Sequence, residues 1–209
     1  MKSSESKNYA VECLGESDKK KFPLLLFFGR EYNYTESPVE IELGTYNFRD
    51  SPGSNFWNRA YRFVERICER DDFKDSCIRL NASPILFSNV SPIPIPNKIL
   101  EPEKDKRRKE IKDDVIRDYI EGIFKMPIIK RVRLVVISVG KEKKVFERFT
   151  PPIKRGGERQ DITVIEMPLY LGSRESNKEI DGQLSESERD MISSVIEEFY
   201  KEKEEAKHG

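Results

Sequence analysis

The chain has a single histidine, His208, second from the end of 209 residues. Ser-His-Asp and Cys-His nucleophile systems need an imidazole held beside the nucleophile, and HExxH zinc sites need two, so both kinds of chemistry are excluded. Proton transfer is left to carboxylates, amides, tyrosines and backbone groups. Cysteine is scarce too: Cys13, Cys68 and Cys77 are an odd number, at spacings that match neither a zinc site nor an iron–sulfur cluster. That pattern suits a reducing compartment and no structural metal. No charge sign prevails, since 38 basic side chains face 38 acidic ones, and any nucleic-acid surface must therefore be a local patch. No run approaches the roughly 20 apolar residues of a membrane span, and the opening "MKSSESKNYAVECLGESDKKK" lacks an apolar h-region. There is no Walker loop or GxGxxG to cradle phosphates. These absences together predict a cytoplasmic, monomeric chain with no membrane contact and no cofactor.

What is present is enough apolar material, 36% of 209 residues, for one core. The expected organisation is a flexible N-terminal tail over 1–20, one α/β domain over 21–203 and a charged tail over 204–209. The run "PLLLFF" is apolar throughout, as in a parallel strand covered on both faces. In "SNFWNRAYRFVERICERDD", Phe56, Trp57, Ala60, Tyr61, Val64 and Ile67 recur at three- and four-residue steps after a Ser-Asn start, which predicts a helix. "SPILFSNVSPIPIP" gives a second strand, ended by prolines. Ile111, Val115, Ile116, Tyr119, Ile120, Ile123 and Phe124 predict a second helix over about Lys106 to Phe124. "RVRLVVISVG" and "DITVIEMPLY" are the third and fourth strands, joined through a short helix at "KEKKVFERF" and a loop. "SESERDMISSVIEEFY" closes the chain with a Ser185 to Glu188 capping box and a stripe of Met191, Ile192, Val195, Ile196 and Phe199.

Strands separated by helices imply right-handed parallel crossovers, and so a three-layer αβα sandwich around a four-stranded parallel sheet of order 2-1-3-4. Ligands of such sheets gather outside the carboxyl ends of the strands. Here those ends carry "GREYN", "SNVSP", "SVGKE" and "EMPLYLGSR".

These segments, in this order, resemble the uracil-DNA glycosylase superfamily, and most closely its mismatch-specific branch acting on uracil and thymine opposite guanine. "GREYN" stands where that branch has Gly-x-Asn-Pro-Gly, and "GTYNFRDSPGSNFWNRAYRF" is similar to its Phe-bearing loop and Asn-x-Phe-Trp helix. "SNVSPIP", "RVRLVVISVGKEKKVFERF" and "VIEMPLYLGSRES" resemble its second-strand end, third strand with Gly-Lys-led helix, and final Asn-Pro-Ser-Gly-Leu-Ser-Arg loop. The resemblance covers about residues 22 to 203. Glu31 replaces the branch's asparagine, Tyr32 its proline, and the final motif lacks its Asn-Pro-Ser core, which points to a non-standard base. The resemblance implies a DNA glycosylase that flips a damaged, mismatched or modified base and hydrolyses its N-glycosidic bond.

Under that reading Glu31 is the catalytic group, orienting water and supplying negative charge near the sugar. Its ordinary alternative is a surface glutamate paired with Arg30 or a nearby lysine. Phe48 is either the aromatic that stacks on the flipped base or a core phenylalanine. Asn89 reads the base edge or bonds the Pro-rich turn. Gly29, Arg30, Tyr32, Asn33, Tyr46, Pro168, Gly172, Ser173 and Arg174 complete the expected substrate-binding set. Arg30, Arg174 with Lys178, and the loop "KRGGER" at Lys154 to Arg159 are the candidates for DNA-backbone contacts. "KDKRRKEIKDD" is expected to be a solvated helix start whose acids neutralise its bases. Two further classes stay open: a nucleic-acid or nucleotide-binding module that keeps the fold without the chemistry, and another α/β hydrolase or transferase acting on a nucleotide-like substrate.

Overall fold

Every residue of the strand Leu25–Gly29 is buried, and its side chains divide by parity. Leu25 and Phe27 enter one core, Leu26 and Phe28 another. That division is what period-two alternation produces when both faces of a sheet are covered. The computed structural model describes residues 8–15, 23–31, 33–34, 41–47, 55–140, 144–168, 170–171 and 184–208. For 8–10, 12–15, 33–34, 41–47, 55 and 206–208 the description is confined to the backbone.

The strands are β1 (Asn8–Gly15), β2 (Leu25–Gly29), β3 (Asn33–Tyr34), β4 (Ile41–Asn47), β5 (Ala82–Asn89), β6 (Ile95–Pro96), β7 (Leu134–Ile137) and β8 (Thr163–Glu166). The helices are α1 (Asn55–Ile67), α2 (Phe73–Leu80), α3 (Glu101–Glu110), α4 (Asp113–Phe124), α5 (Thr150–Glu158) and α6 (Glu186–His208). The main sheet runs β4-β1-β5-β2-β7-β8. Its β5-β2-β7-β8 part is parallel throughout. Core residues of α1, α2 and α6 pack against one face of it, and those of α4 and α5 against the other. The fold is therefore an α/β three-layer sandwich around a four-stranded parallel sheet, as expected.

The order across the whole sheet differs from the four-strand expectation because two strands extend it. β1 lies in the segment expected to be a flexible tail; it pairs antiparallel with β5 and parallel with β4. The charged tail is also part of the fold, since α6 continues to His208.

Helix boundaries correct the sequence reading in two places. The single helix expected over Lys106 to Phe124 is two, because Ile111 and Lys112 between them are extended, with ψ of 125° and 148°. Ile111 drops into the core at that break. Both helices complement their dipoles at the start, with Glu101 and Glu103 in the first turn of α3 and Asp113 and Asp114 in that of α4. The link from β7 to β8 is a 3-10 turn over Lys144–Phe149 followed by α5, which includes most of "KRGGER". Gly156 and Gly157 let α5 come close to its neighbours: a Cβ on Gly156 would stand 2.5 Å from the Phe124 ring, and one on Gly157 2.5 Å from Val164.

The Ser185 capping box forms as expected. Glu188 N donates to Ser185 Oγ at 3.3 Å and Ser185 N to Glu188 Oε2 at 2.8 Å. Of its stripe, Ile192, Val195, Ile196 and Phe199 are buried, whereas Met191 is exposed. No described helix is long and apolar enough to cross a membrane.

Candidate functional site

Register places the carboxyl ends of the four parallel strands side by side. Gly29 pairs with Asn89, Phe28 with Ile137, and Ile137 with Glu166. The loops after β2 and β5 then run together: Val90 N donates to Gly29 O at 2.9 Å and Ser91 N to Arg30 O at 3.1 Å. They end in a two-stranded parallel ladder of Asn33 with Ile95 and Tyr34 with Pro96. The loop after β8 is tied in by Met167 N to Ile137 O at 2.8 Å and by Leu171 N to the buried Ser138 Oγ at 2.8 Å. Gly29, Arg30, Glu31, Asn89 and Pro168 thus share one edge.

Three consecutive residues at the end of β2 take three different roles. A Cβ on Gly29 would stand 3.1 Å from the Phe56 ring, so the missing side chain is what lets Phe56 cover the strand end. Phe56 in turn stacks on Tyr170, with centroids 5.7 Å apart and planes at 15°. Arg30 donates Nε to Val139 O at 2.7 Å. Its guanidinium lies 4.1 Å from the Tyr170 centroid and 5.3 Å from that of Phe146. Phe146 also carries the Arg108 guanidinium, at 4.9 Å.

Arg108 meets Glu31. Nη2 donates to Oε1 at 2.6 Å and Nε to Oε2 at 3.2 Å, a two-pronged bridge whose side chains are only 1% and 3% exposed. Arg108 also bonds Glu101 at 3.2 Å and Asp105. Burial works against its charge, but the hydrogen bonds and charge of Glu31, with Asp105 and Glu101, more than offset this and hold its pKa above the ordinary arginine value. Glu31 is therefore not the surface glutamate of the ordinary alternative but a buried one, bridged to Arg108. "KDKRRKEIKDD" is likewise no purely solvated segment, because Arg108 is among the largest fully buried side chains. The signal for it was spacing: Arg108 stands three residues before Ile111, where the apolar stripe begins.

The remaining sequence candidates divide. Asn89 is partly buried at the end of β5. The Pro-rich turn is bonded by Ser91, whose hydroxyl donates to Ile93 O at 3.0 Å and accepts from Ile93 N at 3.2 Å. Asn33 and Tyr46 belong to β3 and β4 and are described in their backbone alone. Tyr32, Phe48, Gly172, Ser173, Arg174 and Lys178 lie outside the described residues. "KRGGER" forms the second half of α5 and leads into the start of β8, so its last residues sit toward the amino end of that strand, where Arg159 pairs with Glu121 at 3.2 Å. Its first residue, Lys154, instead reaches Glu166 at the carboxyl end of β8, at 2.8 Å.

Residues not singled out from the sequence complete the edge: Tyr170, Phe146, Ser138, Arg108 and Arg59. Arg59 on α1 donates Nη1 to Leu171 O at 3.4 Å. Burial pushes the Tyr170 phenol up to about 12 despite the lowering influence of Arg30, Arg59 and Arg108, so it stays a protonated donor at neutral pH. Neither described thiol is poised as a nucleophile, since burial raises Cys68 and pushes Cys77 up to about 12. Among the described residues no group of three His, Cys, Asp or Glu side chains is placed to hold a metal.

Comparison with known proteins finds no matching family model, no matching curated protein and no matching solved structure.

Proposed function

We propose that the chain is a nucleic-acid or nucleotide-binding module on a glycosylase-like αβα scaffold, with the carboxyl edge of the sheet as its binding surface and Glu31 as a structural ion pair. The observation that carries this reading is the buried bridge to Arg108. A carboxylate that steadies oxocarbenium-like charge must present net negative potential to the sugar, and a guanidinium 2.6 Å away cancels most of it. A general base must also accept a proton, which here would forfeit one of two charge-assisted hydrogen bonds to a buried partner.

Base excision is the second reading, and one observation favours it: Glu31 lies two residues past the end of β2, an inner strand of the sheet, at the edge where ligands of open α/β sheets bind.

The discriminating experiment uses labelled single- and double-stranded oligonucleotides bearing uracil, thymine mismatches, deaminated purines or bulky modified pyrimidines. Anisotropy reads binding, and alkali cleavage reads abasic sites. The expected result is salt-sensitive binding with no abasic sites in any lane. Abasic sites that fall by at least ~100-fold in Glu31→Gln would overturn the binding-module reading in favour of excision, that being the scale of general acid–base and electrostatic contributions.

A further inference from the structure

An open cavity of about 140 Å³ lies between the end of α1 and α6. α1 begins over the carboxyl edge, where Phe56 covers Gly29, and the cavity is at its other end, beside Ile67. It is therefore separate from the proposed nucleic-acid surface. The way α1 stops fixes one wall. Glu69 N donates to Arg66 O at 3.4 Å and Arg70 N to Glu65 O at 2.9 Å, the pair of bonds that closes a helix through a left-handed residue. That residue is Glu69, at a φ of 50°, where glycine is the usual choice. The Arg70 guanidinium then rests over the Tyr200 ring, 4.4 Å from its centroid, and that ring is packed in turn by Phe73 and Phe199.

Opposite charges line this one cavity without neutralising each other. Arg70 and Glu69 come from the end of α1 and Glu197 from α6, and among the described residues none of the three joins an ion pair. Arg70 and Glu197 both lie close enough to act on the Cys68 thiol, which is hydrogen-bonded with Ser193 on the cavity wall. Ile67 and Ile196 supply an apolar patch. An apolar ligand would strip water from charged groups and return nothing to them. A simple anion would meet two carboxylates, and a simple cation a guanidinium. A ligand carrying both charges satisfies each side, with carboxylate oxygens on the fork of Arg70 and an ammonium on the glutamate of the opposing helix. The volume is close to the ~150 Å³ of a cavity that takes up benzene, which sets the size of the ligand.

We infer that this cavity binds a small aliphatic α-amino acid, its carboxylate held by Arg70, its ammonium by Glu197 and its side chain against Ile67 and Ile196. The test follows the backbone-amide NMR spectrum of the full chain during titration with valine, with isovalerate, which lacks the ammonium, and with isobutylamine, which lacks the carboxylate. Valine should shift the amides of Cys68, Ser193 and Glu197 saturably, with a Kd on the order of millimolar, since exposed charges pair weakly. Isovalerate and isobutylamine should each bind about tenfold more weakly or worse. Arg70→Gln should abolish the advantage of valine over isobutylamine, and Glu197→Gln its advantage over isovalerate. Both residues are exposed, and unchanged amide positions away from the cavity would show that the variants keep the fold. No saturable shift with valine, or equal affinity for valine and either one-charge analogue, overturns the inference. So does valine binding that neither variant changes. The oligonucleotide experiment is independent of all these outcomes, because the cavity and the carboxyl edge lie at opposite ends of α1.

Discussion

Replacing Arg108 with alanine is expected to lower the free energy of unfolding by about 3–5 kcal/mol, the cost of stranding one member of a buried ion pair. Glu31 would be left at 3% side-chain exposure with both hydrogen bonds to Arg108 gone. α3 would lose its buried anchor, since Arg108 is the one buried residue among its ten. Arg108→Lys keeps a charge but loses the fork, so its cost should fall between wild type and alanine. Urea denaturation followed by far-ultraviolet circular dichroism measures both variants. A loss below about 1 kcal/mol for Arg108→Ala would place the bridge on the scale of exposed pairs and contradict its burial.

A loss of similar size is expected at Phe87. Its ring lies 6.1 Å from Phe27, 6.2 Å from Phe56, 5.6 Å from Trp57 and 5.9 Å from Tyr61, so it joins β2 to α1. Phe87→Ala opens a cavity among these rings and should cost about 3–5 kcal/mol, or roughly 6–20 °C in Tm for a chain of this length. It should also weaken ligand binding at the strand ends, because Phe56 rests on Phe87 on one side and on Tyr170 on the other. Calorimetry with titration of the labelled oligonucleotides checks both effects. A lowered Tm with unchanged affinity would show that Phe56 and Tyr170 hold their places without that support.

The parts of the fold visible in the sequence are those whose own side chains dictate them. β2, β5 and β7 are buried on both faces, and that burial demands continuous apolar runs. α1, α4 and α6 carry apolar stripes at helical spacing, and α6 adds a capping box. β1 was not visible, because "NYAVECLG" is short, lies among charges and is held by ladders with β4 and β5 rather than by a pattern of its own. The break between α3 and α4 was hidden for the opposite reason. The charges of α3 look solvated by composition, and only the position of one arginine beside the start of the stripe sets it apart. At the site, the strand-end location of Gly29, Arg30, Glu31 and Asn89 followed from the order of strands. The partner of Glu31 did not, because the two residues are 77 positions apart and no local spacing links them.

The most direct test of the account is a double-mutant cycle between Glu31 and Arg108, using Glu31→Met, Arg108→Met and the double variant, with unfolding free energies from urea titration. Arg108→Met strands the buried Glu31 carboxylate and Glu31→Met leaves Arg108 only its pairs with Glu101 and Asp105, whereas the double variant puts an apolar pair of similar volume at the bridge. The account predicts that the double variant recovers most of the stability lost by either single one, with a coupling of at least about 2 kcal/mol. Single-variant losses that simply add, within about 0.5 kcal/mol, would mean that the two residues act independently. Glu31 would then not be held by Arg108, contrary to the bridge on which the account depends.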